Sequence, residues 1–261
     1  MNCIIYLVRS SEKDVEEFNK SLSLLEKNLL AFTKYTDVIV FVEDSFEEYK
    51  SKVDTNLKLR YERIEFKVPD YPQDILDQIP EFYPHPTHGN GQIEWGHPGF
   101  SMGYRHMCRM FSGDVYKIPL IQDYNYYIRL DTDSFIHTPL GYDIFEWAER
   151  NDYWYGYVAP AVQQDNEKVV EGLWDFINTI YPNNIPDRWM YYTNWEFGKV
   201  DWFLTSEYIT FYNMIDENGG IYTKRWGDAP IKFLGVNLFM PQKHIQPVQG
   251  FTYQHGAVYT V

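Results

Sequence analysis

Between residues 3 and 42 the hydrophobic pattern changes period twice, and this limits the fold more than anything else in the chain. Cys3-Ile4-Ile5-Tyr6-Leu7-Val8 is one continuous apolar run, the pattern of a strand buried on both faces. Ser10 and Ser11 follow as candidate helix caps. Val15, Phe18, Leu22, Leu25 and Leu29 then recur at steps of three and four, the apolar stripe of an amphipathic helix. Asp37 precedes Val38-Ile39-Val40-Phe41-Val42, a second buried strand. Parallel strands need a crossover element between them, so strand, helix and strand in about forty residues open an α/β nucleotide-binding unit.

Farther along, Ile64, Phe66 and Val68 alternate with Glu65 and Lys67, which predicts a third strand with one exposed face. Residues 69–100 concentrate prolines and glycines and are expected to form a long loop, a frequent place for functional lids. His85, His88 and His97, with Glu94 among them, could hold zinc there, but no C-x-x-C accompanies them, and histidines bonded to neighbouring backbone explain them as well. A helix is expected over 101–111 and an aromatic strand over 124–130, ending at Asp131-Thr132-Asp133. Helical patterns return near 142–150, 170–180 and 206–217. No composition break demands a boundary, so 1–261 is expected to be one domain whose two unequal halves meet near Asp133.

Charge narrows the partners. The 23 Lys+Arg against 37 Asp+Glu give a net charge of −14, which argues against wrapping a nucleic-acid backbone. Aromatic residues make up 18% of the chain, with 23 tyrosines. Tyr and Trp offer a flat apolar face and a polar edge suited to sugars, although an aromatic-rich core accounts for the same count. Two cysteines, Cys3 and Cys108, exclude a disulfide scaffold and read as buried or free thiols. No segment has the length of a signal peptide or membrane span, so the chain as it stands is expected in the cytoplasm, or in the Golgi lumen if an anchor belongs to it.

The sharpest chemical feature is Asp131-Thr132-Asp133. Side chains at i and i+2 of an extended segment share a face, so two carboxylates at a strand end can bind Mn²⁺ or Mg²⁺. Open α/β sheets bind ligands at the carboxyl ends of their strands. Asp is also common in turns and caps, so the D-x-D alone decides little.

Longer motifs surround it: Tyr104-Arg105-His106-Met107-Cys108-Arg109, Phe111-Ser112-Gly113, Thr193-Asn194-Trp195-Glu196-Phe197, and Gly219-Gly220 leading into Arg225-Trp226-Gly227-Asp228-Ala229-Pro230. Leu7-Val8-Arg9 and Tyr253-Gln254-His255 fall in the same order. Across nearly its whole length the chain resembles the fungal α-1,2-mannosyltransferases, glycosyltransferase family 15. The resemblance implies a GT-A fold built round one mixed central sheet, with residues 1–133 mainly binding the donor nucleotide and 134–261 mainly the acceptor. It also implies a retaining, metal-dependent transfer of mannose from GDP-mannose to the 2-hydroxyl of a mannoside or glycan.

Residue by residue, it implies metal ligands at Asp131, Asp133 and His255, where the family's acidic-x-acidic position reads Glu-Pro-Asp and here reads Asp-Thr-Asp. It implies catalytic roles for Glu196, as nucleophile or stabiliser of the anomeric carbon, for Asp228 at the acceptor, and for Tyr104. Arg9, Tyr104, Arg105, Arg129 and Asp131 are the implied donor-binding residues. A transferase of another nucleotide sugar and a catalytically silent carbohydrate-binding protein are the competing functions, and a binding module has no use for a metal-binding pair.

Overall fold

The computed structural model describes residues 1–81, 101–158, 162–165, 167–256 and 258–260. The candidate zinc residues His85, His88, Glu94 and His97 lie outside them. The opening expectation holds: β1 (Asn2–Leu7), a helix over Glu12–Asn28 and β2 (Thr36–Val42) form a parallel βαβ unit. Ser11 caps the helix by accepting from the Asp14 amide at 3.1 Å. The next strand, β3 (Leu59–Arg63), precedes the expected 64–68 segment. The ladder gives the reason. Arg63 pairs with Val42, the last residue of β2, so Ile64 onward has no partner strand. Ile64, Phe66 and Val68 instead pack beside the core as an extended segment.

The chain then forms β4 (Tyr126–Leu130), β5 (Ser134–Ile136), β6 (Tyr155–Val158), β7 (Val162–Gln164), β8 (Trp189–Tyr191), β9 (Trp195–Lys199), β10 (Ile245–Val248), β11 (Tyr253–His255) and β12 (Val258–Thr260). Seven of these strands make one mixed sheet in the order β10-β6-β9-β4-β1-β2-β3. β4 lies parallel to β1 and antiparallel to β9, and β9 is antiparallel to β6. The central sheet separates two cores. Tyr127 of β4 faces one, while Tyr126, Ile128 and Leu130 face the other. On the first face lie the helices Met102–Arg109, Ser206–Asn218 and Asp228–Phe239; on the second lies Glu12–Asn28. Most of the aromatic excess is therefore core: Tyr6, Tyr116, Tyr127, Tyr155, Tyr208, Tyr212, Tyr222, Tyr253 and Trp195 are all buried. Both cysteines are buried free thiols.

Candidate active site

β4 is fully buried between β1 and β9 and delivers Asp131 at its carboxyl end. The chain turns there at once. The Ser134 amide donates to the Asp131 carbonyl at 3.0 Å, and the Asp131 amide lies 3.1 Å from the Ser134 hydroxyl. β5 begins at that serine and pairs antiparallel with β11, with Ser134 opposite His255. The C-terminal segment is thus folded back onto the D-x-D, so the three expected metal ligands meet although 122 positions separate Asp133 from His255.

His255 Nε2 is 3.0 Å from Asp133 Oδ1 and 3.6 Å from Asp131 Oδ2. Its Nδ1 lies 2.9 Å from the Tyr192 hydroxyl, which orients the ring with Nε2 toward the carboxylates. One ligand atom from each residue fits within 4.8 Å of the others, the only such group of three among the described residues. All three side chains keep partial exposure, between 23% and 32%, so an ion can enter. Burial alone would lower the His255 pKa, but its bonds to Asp131 and Asp133 outweigh burial and raise it to about 11. Two hard oxygens with one imidazole are a donor set that suits Mn²⁺ or a similar divalent ion.

Arg129 ties this cluster to the rest of the site. Its guanidinium is buried, donates from Nη2 to Asp131 Oδ1 at 3.1 Å and from Nη1 to Asp228 Oδ2, and lies 3.9 Å over the Phe111 ring. Burial works to raise the Asp131 pKa, but Arg129 and His255 hold it well below the carboxylate range. Asp228 opens the helix Asp228–Phe239, with Gly227 as N-cap and Pro230 in the first turn. Its carboxylate also accepts from the Thr193 hydroxyl at 2.7 Å. Burial opposes its ionisation, but Arg129, the Thr193 hydroxyl and Lys232 together outweigh it, so Asp228 is also held below its ordinary value.

Tyr104 comes from the helix Met102–Arg109, whose Ser101 cap accepts from its amide. The Tyr104 hydroxyl accepts from Arg225 Nη2 at 2.9 Å, and the Arg225 guanidinium lies 5.0 Å from the Tyr104 ring centre. Arg225 takes φ 63°, a left-handed conformation that costs a non-glycine residue about 1–3 kcal/mol and that clusters at functional sites. Sequence reasoning did not single out Arg225, Thr193 or Tyr192. Arg225 stood in plain view inside the Arg-Trp-Gly-Asp-Ala-Pro run and Thr193 at the head of the Thr-Asn-Trp-Glu-Phe block; Tyr192 carries no local signal.

Three expected residues have other surroundings. Arg9 is exposed just beyond β1 and pairs with Asp14 at 3.0 Å. It stands at the same carboxyl edge of the parallel strands as Asp131. Arg105, expected at the donor, has no exposed surface. Its guanidinium donates to the carbonyls of Tyr222 at 2.8 Å, Pro80 at 2.6 Å and Glu81 at 2.9 Å, so it staples backbone together. Glu196, expected beside the reacting carbon, points from β9 into the first core and is likewise without exposure. Oε1 accepts from Lys232 at 2.5 Å and Tyr127 at 3.0 Å, and Oε2 accepts from Tyr155 at 2.7 Å. Its flanking residues Trp195 and Phe197 face the opposite core, as strand alternation requires.

Comparison with known proteins agrees with this architecture. The sequence model of a family described as glycolipid 2-alpha-mannosyltransferase matches residues 1–187 and 184–261. The chain is 30% identical over 176 residues to a probable mannosyltransferase, KTR3, of Saccharomyces cerevisiae, which covers 60% of this chain and 43% of that protein. It is 28% identical to glycolipid 2-alpha-mannosyltransferase 2 of Candida albicans over 98% of this chain and 58% of that one. With the Schizosaccharomyces pombe O-glycoside alpha-1,2-mannosyltransferase omh1 it shares 27% identity over 96% of its length and 68% of the relative's. The chain thus spans about half the length of the first two relatives. In fold it resembles core-mannan synthase A (CmsA/Ktr4) of Aspergillus fumigatus in its Mn/GDP form, at TM-score 0.77 and 23% identity, covering 99% of this chain and 75% of that one. The mannosyltransferase Ktr4p of S. cerevisiae in complex with GDP gives TM-score 0.77 at 23% identity, over 97% and 70%. The expected α/β architecture around one mixed sheet is the observed one.

Proposed function

The chain belongs to the glycolipid 2-alpha-mannosyltransferase family, and from that premise we propose that it transfers mannose from GDP-mannose to the 2-hydroxyl of an α-mannoside, with retention and with a divalent cation at Asp131, Asp133 and His255. The observation that carries this reading is the convergence of those three side chains at the carboxyl end of β4. Core-mannan synthase A, of the same fold, is known in an Mn/GDP form, and several relatives are named mannosyltransferases. What a divalent cation supplies at such a site is charge neutralisation for a diphosphate as it leaves.

This chain's own residues do the rest. Asp131 and Asp133 present oxygens toward one point, and Tyr192 at Nδ1 holds the His255 ring with Nε2 facing them. Arg129 keeps Asp131 ionised and in place. Arg225 and Tyr104, linked by a hydrogen bond, set a cation and a phenol side by side, a combination suited to a phosphate oxygen or a sugar hydroxyl. Arg9 stands where a nucleotide lying across the strand ends would meet it. Asp228, held ionised beside Arg129 and Thr193, is a hydrogen-bond acceptor for a hydroxyl rather than a strong base, because a carboxylate of lowered pKa takes up protons poorly near neutrality. Residues 1–133 would then serve mainly the donor, and the remainder mainly the acceptor.

Calorimetric titration of GDP tests the metal assignment. GDP should bind the protein in Mn²⁺ and weaken at least about tenfold in EDTA or in Asp133→Ala, which loses one ligand. Equal affinity in all three conditions would remove the proposed site. A panel of GDP-, UDP- and dTDP-sugars in the same assay separates GDP-mannose from other donors.

A further inference from the structure

Beneath the site, four buried charges form two crossed pairs. On the sheet, Arg129 of β4 and Glu196 of β9 are direct cross-strand partners. On the helix Asp228–Phe239, Asp228 and Lys232 are one turn apart and share a face. Asp228 meets Arg129, and Lys232 Nζ meets Glu196 Oε1 at 2.5 Å. None of the four is more than 4% exposed. The remaining valences are filled by tyrosines: Tyr116 accepts from Lys232 at 2.7 Å, Tyr127 donates to Glu196 Oε1, and Tyr155 donates to Oε2.

The order of signs is what matters. Along the helix the charges run minus then plus, and across the strands plus then minus. Sliding the helix one turn along its own axis, across the strands, would set Lys232 against Arg129. Buried pairs add little net stability over apolar residues of the same shape, and their best-attested use is fixing register. From this geometry we infer that the Glu196–Lys232 pair is the register pin that sets Asp228 and Arg129 against Asp131, and that Glu196 acts through them and never touches the sugar. As a statement about catalysis this rests on the transferase reading above. Glu196 is then a positioning residue, which explains a carboxylate sealed on both oxygens where a nucleophile would need an open face.

The test uses Glu196→Gln, Lys232→Met and the double variant. Thermal midpoint, Mn²⁺–GDP affinity, and kcat and KM are measured at a temperature where every variant is folded. Each single change strands one buried charge, so both singles should lower the midpoint and reduce kcat by about a hundredfold while GDP affinity changes little. The double variant strands nothing, so its midpoint should recover; it still lacks the pin, so its kcat should recover only in part, to about tenfold below wild type. A folded double variant as inactive as Glu196→Gln would show that the chemistry needs the carboxylate itself, overturning the inference. Folded single variants with wild-type kcat would overturn it from the other side, leaving the pair purely structural. The thermal coupling between Asp228→Asn and Lys232→Met needs no activity. Non-additive midpoints are expected, and additive ones contradict the pin even if the wild-type protein transfers no mannose, an outcome that would instead count against the function proposed above.

Discussion

Arg129 brings five N–H donors into a space that is almost without water, and they are used across a wide arc: Asp131, Asp228, and the Met107 sulfur at 3.4 Å. An arginine is suited to this because its planar fork stays charged in any protein environment and meets carboxylates from two sides. A second buried ring shows how environment sets protonation. His106 Nδ1 lies 2.8 Å from the Tyr222 hydroxyl, and the ring stacks on Phe66 with centres 5.3 Å apart. Burial, reinforced by Arg109 and Arg105, lowers its pKa to about 4. In the unfolded chain histidine titrates near ~6.5. Between those values the unfolded chain binds a proton that the folded chain refuses. The stability His106 confers is therefore complete above that unfolded pKa and is lost as pH falls toward the folded one. In His106→Gln the thermal midpoint should fall less steeply over this acid range; parallel profiles for the two proteins would contradict the assignment.

At the scale of elements, the central strands depend on close cross-strand fits. Gly156 of β6 sits opposite Phe197 of β9, and a Cβ at Gly156 would overlap the Phe197 ring. Phe197 is fully buried and has little room to yield. Gly156→Ala should cost about 1–3 kcal/mol by overpacking, read as a drop of several degrees in the thermal midpoint. An unchanged midpoint would mean that β6 can move away from β9. The elements legible in the sequence were β1, the helix Glu12–Asn28, β2, β4 and the helices Met102–Arg109, Ile144–Arg150, Leu173–Ile180 and Ser206–Asn218. β3 was misplaced because alternation continues through Ile64, Phe66 and Val68 after the β2 ladder has ended at Val42. β5 and β11 have three residues each, too few to show a period, yet their pairing brings His255 to the aspartates. For His255 the family motif carried a signal where periodicity had none. Lys232 escaped notice because it sits on a helix and its partner Glu196 on β9, with no local pattern linking them. A lysine within the apolar run Pro230-Ile231-Lys232-Phe233-Leu234, one turn after Asp228, was the available clue.

For the whole molecule, the parallel strands β1, β2 and β4 point their carboxyl ends to one edge, and the C-terminal hairpin closes that edge over the aspartates. The ligand cluster is therefore completed only when the last segment of the chain has docked. The net charge of −14 takes on a local meaning here, since two of its carboxylates converge on a point that favours a cation. Among the described residues no helix is long and apolar enough to cross a membrane. Transfer of mannose at this edge with the help of a divalent ion is the function proposed for the molecule. The most direct measurement is NMR of the product formed from GDP-mannose and a methyl α-mannoside, for wild type in Mn²⁺, wild type in EDTA, and His255→Ala in Mn²⁺. The account predicts an α-1,2-linked dimannoside in the first sample and at least about a hundredfold less in the other two. Equal product in all three, or no transfer with Mn²⁺ present, would contradict it.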